Sequence, residues 1–414
     1  MIRGARQVGK TWLMKEFGRT AYENTVYVSF ENNPQMIELF SADSQIDRII
    51  TGLEIYSRRK IDADTTLFVF DEIQEVPRAL SSLKYFNENA PQYQIVCAGS
   101  MLGVALHSGT SFPVGKVEFL DLYPMSFTEF LMALGKEDFA ELIEKGDFEM
   151  ASMFRQDFVG LLKHYYFVGG MPEVVGSFAA HRDFNEAREI QTRLLETYEQ
   201  EFSKHAPNDT IPRIRLLWNC VPSQLARENR KFVYGLIREG ARAKDYEMAL
   251  LWLSDCGLVH KVHRVTVPNL PLKAYEDIKA FKLYLLDVGL LGSMTRLDQK
   301  VLLSGNGLFR EFKGALTEQY VLQQLKTIKK LGVYYWTNGR NSAEVDFLLD
   351  SGDEVVPVEV KAEMNLQAKS MKIFNEKFNP RRALRFSTAS FKAEGRLIDL
   401  PLWGVEGVVK LFQS

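Results

Sequence analysis

Gly4-Ala5-Arg6-Gln7-Val8-Gly9-Lys10-Thr11 fits the pattern G-x-x-x-x-G-K-[ST]. The spacing has a chemical cause. Gly4 and Gly9 permit a tight backbone turn, so that successive N–H groups of the loop converge on one anion. Lys10 reaches β- and γ-phosphates as a point charge, and Thr11 offers its hydroxyl to Mg²⁺. A helix starting near Lys10 aims its positive end at the same place. The stretch predicts a nucleotide-phosphate loop between a buried parallel strand and a helix, hence an α/β fold. Only Met1, Ile2 and Arg3 precede Gly4, so the strand ahead of the loop is expected to be a stub, as in a chain that begins late.

Downstream stretches extend that core. The β-rich run 25–31 predicts a second strand, followed by a helical stretch over roughly 36–59. Leu67-Phe68-Val69-Phe70-Asp71-Glu72 places two carboxylates after four apolar residues. A fully apolar run is what a central parallel strand requires, and ligands of such sheets bind beyond its C-terminal end. Asp71 is thereby set to hold Mg²⁺ through water, and Glu72 to polarise an attacking water. The run 94–100 reads as another core strand, with Ser100 as candidate sensor of a γ-phosphate, and 117–122 reads as the last strand of this sheet. A three-layer P-loop core results.

The rest of the composition sets outer bounds. At 414 residues the chain holds two to four domains. A net charge of −2 argues against a wholesale polyanion binder while leaving room for a local basic patch. Cys97, Cys220 and Cys256 are too far apart to read as a disulfide framework and suit a reducing compartment. No apolar run approaches the ~18 residues of a membrane span. The expectation is a cytoplasmic protein with no membrane partner.

Taken with Phe70-Asp71-Glu72-Ile73-Gln74, Ala98-Gly99-Ser100 and Leu122-Tyr123-Pro124-Met125-Ser126-Phe127-Thr128-Glu129-Phe130, the loop resembles a prokaryotic family of AAA-type ATPases. The C-terminal half of that family is a domain of uncharacterised function. Gly169-Gly170-Met171-Pro172-Glu173 is similar to its lid signature, and the resemblance extends over nearly the whole chain. It implies nucleotide binding and slow hydrolysis. Two departures stand out. Family members carry residues before the loop that this chain lacks, and they show Gly-Arg where this chain has Gly115-Lys116. A lysine does not reproduce the bidentate grip of a guanidinium.

From Ser126 to about His205 the pattern is helical and predicts a lid, with Arg155, Arg182, Arg188 and Arg193 as candidate γ-phosphate contacts. Residues 206–270 change character. Helical runs at 231–239 and 244–255, then a strand at 257–262, give a winged-helix order. Ten Lys/Arg against five Asp/Glu over 213–265 allow DNA binding through the second helix; a rigid spacer is the other reading. Cys256, His260 and His263 lack the paired spacing of a zinc site.

The second chemical signal lies at 310–361. A helix over 309–329 carries Glu318 among apolar neighbours. Three strands follow, at 333–337, 343–349 and 354–361. Asp346 interrupts the second; Glu359 and Lys361 share one face of the third. Buried charges must meet one another or a metal. A helix Glu, a strand Asp and a strand Glu-x-Lys form the pattern of PD-(D/E)xK nucleases. In that pattern Asp346 and Glu359 bind Mg²⁺ through hard oxygens, Glu318 completes the metal shell or holds a second ion, and Lys361 orients or deprotonates the attacking water. A degenerate nuclease fold that cuts nothing is the other reading.

The sequence thus predicts an α/β chain in four parts: a P-loop ATPase core (1–122), a helical lid (123–205), a winged-helix-like middle (206–270) and a restriction-endonuclease-like domain (271–414). Its expected ligands are ATP and Mg²⁺. Its expected role is a nucleotide-gated switch for a module that engages double-stranded DNA. The alternative is an ATP-dependent signalling or interaction protein with an inert nuclease fold and a protein partner.

Overall fold

A computed structural model describes residues 1–42, 45–99, 115–227, 231–304, 310–338, 343–362 and 369–412. These residues fall into two compact units. One comprises 1–123 together with 255–258; the other comprises 124–254 and 259–414.

The first unit is built on five parallel strands: β1 (Ile2–Arg3), β2 (Asn24–Ser29), β3 (Thr66–Asp71), β4 (Gln94–Ala98) and β5 (Leu120–Asp121). Their order across the sheet is β2-β3-β4-β1-β5. Among the described residues, helices α1 (Lys10–Ala21), α2 (Pro34–Ala42), α3 (Ile46–Ser57) and α4 (Pro77–Asn89) accompany them. The helical stretch expected over roughly 36–59 corresponds to α2 and α3. All six residues of β3 are buried, as a central strand covered on both faces demands. Phe30, Phe40 and Phe70 pack edge to face at 5.2–5.8 Å between ring centres and anchor one side of the sheet. Ile2 lies opposite Ala98 on one side and Leu120 on the other, so the two-residue β1 is an interior strand. The strand expected over 117–122 shortens to Leu120–Asp121.

The second unit opens with helices α5 (Phe127–Ala133), α6 (Glu137–Lys145), α7 (Phe148–Met153), α8 (Arg155–Val168), α9 (Pro172–His181), α10 (Phe184–His205) and α11 (Ile211–Leu225). Helix α12 (Ala243–Asp255) leads into β6 (Val259–Val265) and β7 (Glu276–Leu285). Helices α13 (Val288–Met294), α14 (Gln299–Ser304) and α15 (Arg310–Thr327) follow. The chain continues through β8 (Gly332–Thr337), β9 (Glu344–Asp350), β10 (Val355–Val360), α16 (Lys369–Phe378), β11 (Ala383–Ser387), β12 (Lys392–Glu394) and β13 (Leu397–Pro401). The eight strands form one sheet in the order β12-β13-β11-β10-β9-β8-β6-β7.

Residues 206–270 depart from the winged-helix order. Only Tyr234–Leu236 forms a short 3-10 turn where a helix over 231–239 was expected. The β6–β7 hairpin does not close a small domain. Arg264 and Val265 of β6 pair in parallel with Tyr335 and Trp336 of β8, which makes the hairpin an extension of the C-terminal sheet. The cause is an open strand edge: β8 satisfies one side with β9 and takes β6 on the other. Among the described residues no helix is long and apolar enough to cross a membrane.

Candidate functional site

The phosphate loop follows β1 at the point where β1 and β4 run side by side. Gly4 has no room for a side chain, since a Cβ there would lie 2.2 Å from the Leu122 carbonyl oxygen. Gln7 (φ 64°) and Gly9 (φ 97°) both take the left-handed conformation, and Gly9 caps α1 by accepting the Leu13 N–H at 2.9 Å. Ala5 and Val8 are buried beneath the turn. The Lys10 side chain folds back over the loop and donates to the carbonyls of Gly4 (2.9 Å) and Ala5 (2.7 Å). Burial pulls its pKa down to about 8, against the opposing pull of Glu72 and Asp71.

The carboxylates at the end of β3 meet this loop. Thr11 Oγ1 donates to Asp71 Oδ2 at 2.6 Å, and the Tyr27 hydroxyl donates to the same oxygen at 3.1 Å. Burial, then the Asp71 charge, pushes the Tyr27 phenol up to about 12, so it stays a donor. Tyr27 did not stand out in the sequence; the available signal is its place on β2, beside Val69 of β3. Glu72 sits in the left-handed region (φ 50°), and its Oε2 accepts from Gln74 Nε2 at 2.6 Å. Ser100 lies outside the described residues. Lys116 pairs with Glu88 at 3.3 Å. One element was not foreseen: the turn at Gly257 (φ 71°) packs on the loop, where a Cβ would come within 3.2 Å of the Ala5 nitrogen.

The other candidate residues belong to the second unit. On β9 and β10 the antiparallel ladder ends at Phe347–Val358. Beyond it Asp346 Oδ2 accepts the Val360 N–H at 2.8 Å, while the Lys361 N–H donates to the Phe386 carbonyl of β11. The Asp346 carboxylate thus takes over where β10 leaves β9. Lys361 Nζ pairs with Glu359 Oε1 at 2.6 Å. The second oxygen of the buried Glu359, Oε2, has no hydrogen-bond partner among the described residues.

Glu318 on α15 is held differently. Its Oε2 accepts from the Tyr284 hydroxyl at 3.2 Å and lies 3.6 Å from Lys282 Nζ. Lys282, fully buried, also pairs with Glu344 Oε1 at 2.5 Å. Glu318 is thus engaged by Tyr284 and Lys282, whereas Glu359 pairs with Lys361 and Asp346 accepts the Val360 N–H. Among the described residues no group of three or more His, Cys, Asp or Glu side chains is arranged to hold a metal ion, Cys256, His260 and His263 included. Sequence reasoning missed Lys282 because β7 lies outside the helix-strand-strand pattern.

The four arginines expected near a γ-phosphate have other contacts. Arg155 donates to the Thr388 carbonyl, Arg182 to that of Leu134, and Arg188 to those of Gly289 and Leu297. Arg193 pairs with Glu173 at 3.0 Å. The Gly169-Gly170 signature serves a buried carboxylate: Asp287 Oδ2 accepts the Gly170 N–H at 2.7 Å, and a Cβ on Gly169 would lie 2.2 Å from Asp287 Oδ1.

Comparison with known proteins gives three family matches. Residues 1–131 match a family described as "AAA domain"; residues 159–301 and 313–403 match two domains of unknown function, DUF8612 and DUF4143. Among solved structures, a Walker-type ATPase of Pyrococcus abyssi is 15% identical over 71% of this chain and 90% of that chain, with a TM-score of 0.42. The ORC2 protein of Aeropyrum pernix in its ADP form is 14% identical over 73% of this chain and 86% of its own, with a TM-score of 0.27. Neither TM-score is high enough to carry an argument. None of the curated proteins matches the chain. The phosphate loop, the Asp71–Glu72 strand end and the parallel sheet agree with the first of the family matches, and residues 1–131 are a P-loop ATPase domain of the AAA type.

Proposed function

We propose that this chain is a slow, Mg²⁺-dependent ATPase whose nucleotide state sets the behaviour of a nuclease-like C-terminal unit. The observation that carries the ATPase reading is the contact between Thr11 Oγ1 and Asp71 Oδ2 at 2.6 Å, a hydroxyl and a carboxylate joined at the mouth of a phosphate loop. Both are hard oxygen donors of the kind Mg²⁺ prefers, and Thr11 and Asp71 would hold it. Bound there, the ion supplies charge neutralisation for the transferring phosphoryl group. Lys10 exchanges the carbonyls of Gly4 and Ala5 for phosphate oxygens. The loop N–H groups from Ala5 to Val8 orient the phosphates, and Glu72 accepts a proton from, or aligns, the attacking water.

ATP turnover by the full chain tests this. Glu72→Gln is expected to keep nucleotide affinity and lose about 10²-fold or more in turnover; Lys10→Ala is expected to lose binding. Turnover unchanged in both variants would remove the ATPase reading.

The nuclease-like part of the reading draws on topology and on one atom. The succession α15-β8-β9-β10-α16-β11, with β10 antiparallel to β9 and parallel to β11, supports the PD-(D/E)xK reading. Asp346, Glu359 and Lys361 stand at the motif positions. The unpartnered Glu359 Oε2 fits a bound divalent ion, and Asp346 with Glu359 would hold it. Double-stranded DNA is the substrate class this implies. Mg²⁺-dependent cutting of supercoiled DNA that disappears in Lys361→Ala would support it. The second reading, an interaction protein with an inert nuclease fold, is favoured by the 2.6 Å Lys361–Glu359 pair, which engages the ammonium and one oxygen of the carboxylate. No cutting and no DNA binding, with or without ATP, would select it.

A further inference from the structure

The C-terminal carboxylate cluster contains a cation of its own. Lys282 enters from β7, a strand that pairs with β6 at the far edge of the sheet. Its ammonium is fully buried, 2.5 Å from Glu344 Oε1 and 3.6 Å from Glu318 Oε2. Tyr284, two residues along the same strand and so on the same face, donates to that Glu318 oxygen. The Tyr335 ring lies 5.1 Å from the ammonium on another side. Burial disfavours the charged lysine, but Glu344, Tyr284, Glu318 and Asp346 outweigh it and hold the pKa well above the ordinary value. Paired with Glu318 and Glu344, Lys282 stands as their counter-ion, and removing it would strand carboxylates in a low-dielectric interior.

We propose that Lys282 is the resident cation of this cluster, standing between Glu318 and Glu344 where a divalent ion would otherwise sit. Glu318 is then not a metal ligand. Among the described residues a divalent ion in this unit is then assigned to Asp346 and Glu359, where Glu359 Oε2 has no hydrogen-bond partner. A fixed ammonium also makes the electrostatic balance of the cluster independent of metal supply, as a labile ion would not. The inference rests on the nuclease-like reading only for the identity of the second locus.

Calorimetric titration of the full chain with Mn²⁺, counting bound equivalents, tests the proposal without reference to cleavage. Glu318→Gln keeps the shape of the side chain and an acceptor for Tyr284; its count is expected to equal that of the wild type. Lys282→Met is expected to gain one equivalent, and the double variant Lys282→Met/Glu318→Gln to lose that gain. Loss of an equivalent in Glu318→Gln would overturn the proposal, and so would an unchanged count in a folded Lys282→Met. Where Lys282→Met does not fold, Glu318→Gln decides alone, an unchanged count supporting the proposal and a lost equivalent refuting it. Asp346→Asn is the separate arm for the nuclease-like reading. A count it leaves unchanged tells against a metal at Asp346 and Glu359 and leaves the role of Lys282 standing.

Discussion

Thr11 Oγ1 and Asp71 Oδ2 lie 2.6 Å apart although sixty residues separate them in the chain. The contact fixes the first turn of α1 to the end of β3, and Tyr27 adds a second donor to the same carboxylate oxygen. A Mg²⁺ ion held by Thr11 and Asp71 would compete with this hydrogen bond. Thr11→Ala removes the hydroxyl and leaves Tyr27 in place. The gain in ATP affinity on adding Mg²⁺ is expected to fall by about tenfold, roughly 1.4 kcal/mol. Calorimetry with and without Mg²⁺ checks this, and an undiminished gain would remove Thr11 from the metal shell.

Two glycines test how close packing differs from helix propensity. Gly4→Ala drives a methyl into the Leu122 carbonyl, 2.2 Å from the ideal Cβ position. Backbone must move, and a loss of about 2–4 kcal/mol is expected for the unit that contains it. Gly176, exposed on α9 with nothing within 4 Å of an added Cβ, is the opposite case. Gly176→Ala is expected to stabilise by about 0.5–1 kcal/mol. Thermal unfolding of both variants gives the two signs; equal effects would contradict the packing argument.

Trp12, next to Thr11 in α1, is 68% exposed, whereas Trp218, Trp252, Trp336 and Trp403 are buried. Acrylamide is expected to quench one accessible tryptophan, and Trp12→Phe to abolish that component. ATP is expected to alter quenching in the wild type and not in Trp12→Phe. A nucleotide response that survives in the variant would assign the signal elsewhere.

Asp287, fully buried, accepts from the N–H groups of Gly170 (2.7 Å) and Leu290 (2.9 Å) and from Gln323 Nε2 (2.9 Å). Asp287→Ala removes the shared acceptor of these hydrogen bonds, and a loss of about 3–5 kcal/mol is expected in denaturant unfolding. Burial raises the Asp287 pKa above 3.8, against the pull of these donors. The unfolded chain therefore releases this proton first as pH rises. The Asp287 contribution to stability declines from about pH 3.8 through its folded pKa, and Asp287→Asn should flatten that part of the profile.

Cys97, Cys220 and Cys256 are buried, and burial pushes the thiols of Cys97 and Cys220 up to about 11. A thiol reagent at pH 8 is expected to modify none of the three in the native chain and all three in denaturant. Rapid modification of the native protein would contradict this burial.

Much of the first unit was legible because its signals are local. The glycine spacing of the loop and the apolar run ending in Asp71-Glu72 each carry their meaning within a few residues, as do the strand-forming runs at 333–337, 343–349 and 354–361 of the second unit. Residues 206–270 were less legible. Their strand pattern was read correctly as β, but the pattern does not say which edge a hairpin will join, and β6 joined β8.

The sequence by itself determined the phosphate loop, the strand-end carboxylates and the succession of helix, three strands and helix near the C-terminus. It also determined that Glu318, Asp346, Glu359 and Lys361 needed partners, since ionised groups among apolar neighbours do not stay buried alone. Only the tertiary structure decided who those partners are. Tyr27 reaches Asp71, Gly257 packs on Ala5, and Lys282 stands between Glu318 and Glu344. The reason is physical. Backbone periodicity and turn chemistry act over a few residues, whereas the field at a buried charge sums over whatever the topology brings within several ångströms, from any distance along the chain.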